Sequence, residues 1–137
     1  MAATAFVVVA QPAIASAPQP ASGAAVRTSV VLTAPPQVAG QNVIFHAFET
    51  GTLTGTVTGT FSQNLMLVVH SDGAGELHGF GTLVATVDGC GTRTVDYEIN
   101  GTVRPATGIE INLTSLSATT HVDIDIVNGP YTGSVSC

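Results

Sequence analysis

Beyond its first two dozen residues the chain alternates polar and apolar side chains with a period of two, and helical periodicity appears nowhere. The clearest stretch is Thr50 to Phe61, where every even position is threonine and the odd positions run Gly, Leu, Gly, Val, Gly, Phe. Successive side chains of a strand point to opposite faces, so the threonines share one face and Leu53, Val57 and Phe61 the other. The same alternation returns in Val95, Tyr97 and Ile99, then in Ile109, Ile111 and Leu113, and again in Val122, Ile124 and Ile126. Asp96, Glu98, Asn112 and Asp123 fall on the opposite parity. Each predicted strand thus has one wet and one dry face, as strands of antiparallel sheets do. A slip of one residue would bury Asp96 and Glu98, so the register is strongly specified.

Turn signals separate these runs: Ser71-Asp72-Gly73, Asp88-Gly89, Pro105 to Gly108, and Asn128-Gly129-Pro130. They place strands at about 26–33, 42–49, 51–61, 64–70, 76–87, 92–103, 109–117 and 121–136, the last splitting near Gly129. With one dry face per strand and no helix to cover it, the sheet must fold onto itself. The predicted fold is all-β, a single small antiparallel barrel of seven or eight strands, with a β-sandwich as the alternative. A barrel has the further merit of removing exposed edges.

Composition narrows the function. Charged residues make up 9% of the 137 residues, against about 25% in ordinary globular domains. Lysine is absent, and Arg27, Arg93 and Arg104 are the only fixed cations in a chain of net charge -6. So sparse a basic complement does not build the footprint that phosphate binding requires, which argues against nucleic acid and anionic membranes as partners. An outer-membrane barrel needs aromatic girdles at both interfaces; no Trp, two Tyr and five Phe do not supply them.

The first residues have the look of an export signal. Ala5 to Ala10 is a short apolar run, too short to span a bilayer, and Ala13 to Ala17 holds two overlapping A-x-A cleavage patterns. No basic residue precedes the run. Residues 1–24 are expected to be a signal-peptide remnant or a disordered Ala/Pro-rich tail, and 25–137 the barrel domain. The two cysteines, Cys90 and Cys137, agree with a secreted or extracytoplasmic place, because two cysteines in a small exported domain usually pair.

The stretch from Val68 to Val103 carries His70-Ser71-Asp72-Gly73-Ala74-Gly75, an Asp88-Gly89 strand end and a following Gly91-Thr92-Arg93-Thr94. In these turns and glycines it resembles small secreted bacterial proteins of the allene-oxide-cyclase-like β-barrel type, whose function is unknown. The resemblance implies a barrel and carries over no catalytic residue.

Candidate chemistry is thin. His70, Asp72, Glu76 and His78 have side chains zinc accepts, but they straddle a Gly-rich turn where solvated polar residues belong. His121, Asp123 and Asp125 share a strand face that should be wet, and calcium wants more oxygens and a bent loop. His46, between apolar neighbours and close to Glu49, has the setting of a buried general base, although a lone histidine in an apolar strand is more often a core residue. No G-x-S-x-G and no glycine-rich phosphate loop occurs. The sequence therefore calls for no cofactor or metal and names no catalytic residue.

Two functions follow. One is a non-enzymatic structural or binding module with a solid interior. The other is a barrel whose interior pocket takes a small apolar ligand, either to bind it or to shape it as a cyclase-like enzyme would, with Gly55, Gly59, Ala85 and Gly133 as the small inward residues that leave the void. An interior cavity of a few hundred Å³ with one mouth would favour the second.

Overall fold

The computed structural model describes residues 17–137. The export segment expected before them lies outside the described residues. Nine strands follow one another: β1 (Gln19–Leu32), β2 (Gln37–Ala39), β3 (Asn42–Gly55), β4 (Val57–Val69), β5 (Gly75–Val87), β6 (Gly91–Arg104), β7 (Gly108–Ser115), β8 (His121–Val127) and β9 (Pro130–Ser136). Consecutive strands from β3 to β9 pair antiparallel, and β1 pairs with both β9 and β3, which closes an eight-stranded barrel. The short β2 is an extra strand added to the start of β3.

Two expectations about the strands change and one holds. The alternation through Thr50 to Phe61 is not one strand but the two arms of a hairpin, β3 ending at Gly55 and β4 starting at Val57. Gly55 has φ +99°, which lets the chain reverse there without disturbing the parity of either arm. Second, the last predicted strand does split: Asn128 (φ 54°) and Gly129 (φ 112°) form the tight Asn-Gly turn between β8 and β9. Third, β1 begins at Gln19, ahead of the boundary expected at Ala25. Residues 19–24 pair with β9, and Ala21 is buried in the core. Before β3 joins at Gly23, β1 has a partner on one side only, and such an edge position is where a strand tolerates Pro20.

The interior follows the predicted parity. Val57, Val95, Tyr97, Ile99 and Ile124 are all 2% exposed or less, with Phe61 and Ile111 packed against them, while Asp96 is exposed. Three aromatic rings lie over glycines directly opposite them: Tyr97 over Gly81, Phe61 over Gly51 and Tyr131 over Gly23. No Cβ fits at these glycines, so the rings cross the strand and reach the next one. The Tyr131 hydroxyl in this way donates to the Thr54 carbonyl at 2.7 Å and accepts from the Val57 amide at 3.1 Å.

One end of the barrel is solid and the other is not. At the end holding the β3–β4, β5–β6 and β7–β8 turns, Leu53, Val57, Val87, Val122 and Val135 fill the interior. There a disulfide joins Cys90, after β5, to Cys137, after β9, with Cα atoms 5.7 Å apart. In barrel order these strands are opposite one another, so the bridge crosses the closed end. Gly55, Gly59, Ala85 and Gly133, expected to leave a void, belong to this packed half. Gly59 and Gly133 meet neighbouring backbone, Ala85 is 3% exposed in the core, and Gly55 forms the turn.

Candidate ligand cavity

The open end arises from unequal strand lengths. Strands β3 to β6 run 13 or 14 residues, whereas β8 and β9 run 7 each, roughly 20 Å less in strand length; β7 has 8 residues but pairs with β6 up to Arg104 at this end. β1 is tall on its β3 side, but it meets β9 only through residues 19–24, with one more bond from the Ala25 amide to the Gly129 carbonyl. Residues 26–32 of β1 therefore rise above the β8–β9 turn with β3 as their only strand partner. The wall is low there, and the interior is reached over it.

Behind this gap lies a cavity of about 500 Å³, within the range of small-molecule sites. Its walls are hydrocarbon: Phe45, Leu65, Leu67, Leu77, Ile99 and Val103 from the tall strands, with Ile109, Ile111 and Ile126 from the low side. Val30, Leu32 and Ile109 reach from the lining to the surface and are 48%, 52% and 43% exposed. A β-bulge brings Val30 and Leu32 to this position. Between Arg27 and Ser29 the register with β3 shifts by one, so the inward parity changes from Ala25 and Arg27 to Val30 and Leu32. Hydrogen bonds between the Thr50 hydroxyl and the hydroxyls of Thr28 and Ser29 hold the bulge.

One polar constellation interrupts the apolar wall. Glu49, Gln63 and Arg27 occupy inward positions among apolar neighbours on β3, β4 and β1. The Arg27 guanidinium donates to Glu49 Oε1 at 3.1 Å, and Gln63 Nε2 donates to Glu49 Oε2 at 3.2 Å. The Tyr97 hydroxyl donates to Gln63 Oε1 at 2.7 Å. The chain thus runs from the half-exposed Arg27 through Glu49, with a 13% exposed side chain, to the fully buried Tyr97. Burial, with the negative charge of Glu49 added, holds the Tyr97 phenol far above its ordinary range, so it stays a protonated donor. Such a donor fixes Gln63, and Gln63 in turn fixes the carboxylate. The remaining polar liner, Asn128, is occupied at the rim: its Oδ1 accepts from the Ile109 amide at 2.9 Å and its Nδ2 donates to the Thr107 carbonyl at 3.0 Å.

The residues singled out in the sequence lie elsewhere. His46 has the opposite parity to Glu49 and sits on the outer face of β3, so it is no buried base facing a pocket. His70 and Glu76 do meet, at 3.3 Å, on the outside, where His70 also bonds Asn42 at 3.0 Å. His78 turns to Asn100 at 2.7 Å, and Asp72 caps its own turn by accepting from the Ala74 amide at 2.9 Å. Asp123 and Asp125 both accept from Asn112 at 2.9 Å, with His121 exposed beside them. Among the described residues no group of three or more His, Cys, Asp or Glu is placed to hold a metal ion. What sequence reasoning missed was the grouping of Arg27, Glu49 and Gln63, Glu49 having entered only as the carboxylate near His46. The signal for two of them was present: Glu49 and Gln63 break the apolar parity of Phe45, Ala47 and Leu53 and of Phe61, Leu65 and Leu67.

The fold and the cavity together define a class: a closed eight-stranded antiparallel barrel, packed at one end and hollow at the other. No protein-family model, curated protein or solved structure matches the chain.

Proposed function

We propose that the protein is an exported barrel that binds a small apolar molecule inside its open half. The observation that carries this reading is the cavity of about 500 Å³, walled by aliphatic side chains and reaching the surface past Val30, Leu32 and Ile109. Packed cores hold few voids larger than a water molecule, so a purely structural barrel of this size would be filled. The disulfide supports an oxidising compartment. Cleavage at either A-x-A pattern before Pro18 would leave β1 whole. The test uses N-phenyl-1-naphthylamine, a neutral apolar dye that fluoresces when it leaves water. It should bind with a one-to-one stoichiometry, and Ala47→Phe, which fills the cavity from β3, should abolish binding while the barrel stays folded by circular dichroism. Absence of binding, or binding indifferent to a folded Ala47→Phe, would overturn the proposal.

A further inference from the structure

The cavity as a ligand site, if accepted, also specifies the chemistry of its ligand. We propose that the ligand is an alcohol: a neutral hydrocarbon skeleton ending in one hydroxyl that docks between Arg27 and Glu49. The polar groups on the cavity wall are Arg27, Glu49, Gln63 and Asn128. Gln63 is held at both ends by Glu49 and Tyr97, and Asn128 by Ile109 and Thr107, so neither is the natural partner of a ligand. Glu49 spends one acceptor site on Arg27 and one on Gln63. A carboxylate has about four such sites, and a guanidinium has five donors, of which Arg27 gives Glu49 one. The wall therefore presents an open acceptor and open donors side by side, with no net charge.

That pairing discriminates among head groups. A hydroxyl donates to Glu49 and accepts from Arg27 together. An ether or ketone only accepts, which leaves the open acceptor site of Glu49 cut off from water and unfilled. A carboxylate is drawn to Arg27 but set against Glu49, and an ammonium meets the reverse conflict. The rest of the lining is hydrocarbon and takes the skeleton.

Calorimetric titration of the full chain with farnesol, its methyl ether, farnesoic acid and farnesylamine tests this, because the four share one skeleton. Farnesol should bind at least about tenfold more tightly than the other three, the worth of one hydrogen bond to a charged group. In Glu49→Gln the acid should gain about tenfold, because its repulsion is gone and Arg27 is released, while farnesol weakens. Circular dichroism and the melting temperature verify folding. If Glu49→Gln does not fold, Arg27→Gln serves in its place, and there the amine should gain instead. A methyl ether that binds as well as farnesol, or a preference order unchanged by the folded variant, overturns the inference. If the naphthylamine dye binds but the four compounds do not, or bind alike, only the alcohol falls. If the dye fails as well, the ligand cavity itself falls.

Discussion

At the scale of single residues, the two tyrosines organise the interior. Tyr131 reaches across Gly23 to the β3–β4 turn in the packed half, and Tyr97 reaches across Gly81 to Gln63 beside the cavity. Burial raises the phenol of each above the ordinary value of 10.0, with Glu49 adding to the effect at Tyr97. In the unfolded chain both would lose their protons near pH 10. Between that pH and the higher folded values the unfolded state binds fewer protons, so stability is whole below about pH 10 and falls as pH rises beyond it. We expect tyrosinate absorbance to grow only in step with loss of the β-sheet circular dichroism signal. Tyrosinate appearing in a chain that is still folded would show a phenol open to solvent. With two tyrosines and no tryptophan, the signal has few sources.

At the scale of elements, β1 is the strand that closes the barrel and shapes the opening. Its first six residues seal it to β9, its bulge turns Val30 and Leu32 inward, and its last residues stand above the low wall. A chain beginning at Ala25 would lose the β9 pairing and buried Ala21, while one beginning at Pro18 keeps both. The shorter chain should melt at least about 10 °C below the longer, as several kcal/mol would shift a domain of this size. Equal melting temperatures would mean that residues 19–24 contribute nothing. Composition could not reveal this role. Gln19-Pro20-Ala21-Ser22-Gly23 has the look of a low-complexity linker, and only the partner offered by β9 makes it a strand.

At the scale of the whole molecule, stabilisation is concentrated at the end away from the cavity. The Cys90–Cys137 bridge spans 47 residues, which in the chain-entropy account is worth ~4 kcal/mol. Cys137→Ser should lower unfolding free energy by about 2–5 kcal/mol in denaturant titration, yet leave dye affinity unchanged in the folded protein. A loss of affinity at temperatures where the variant remains folded would mean that the two ends are coupled. The sequence by itself determined the all-β class, the strand faces and the turns at Asp72-Gly73, Asp88-Gly89, Pro105 to Gly108 and Asn128-Gly129, though not the one at Gly55. Period-two alternation of Thr with Val, Leu and Ile has one economical use, and burying Asp96 or Glu98 would cost too much for any other register to compete. It also held the pairing of the only two cysteines. Tertiary structure alone decided that the barrel is hollow and open, because the short strands β8 and β9 stop below the ends of the tall strands β3 to β6. It alone decided, too, that Arg27 faces Glu49. A bulge at Thr28 and the closing of β1 against β3 set that contact, between residues 22 positions apart, and no local pattern encodes either.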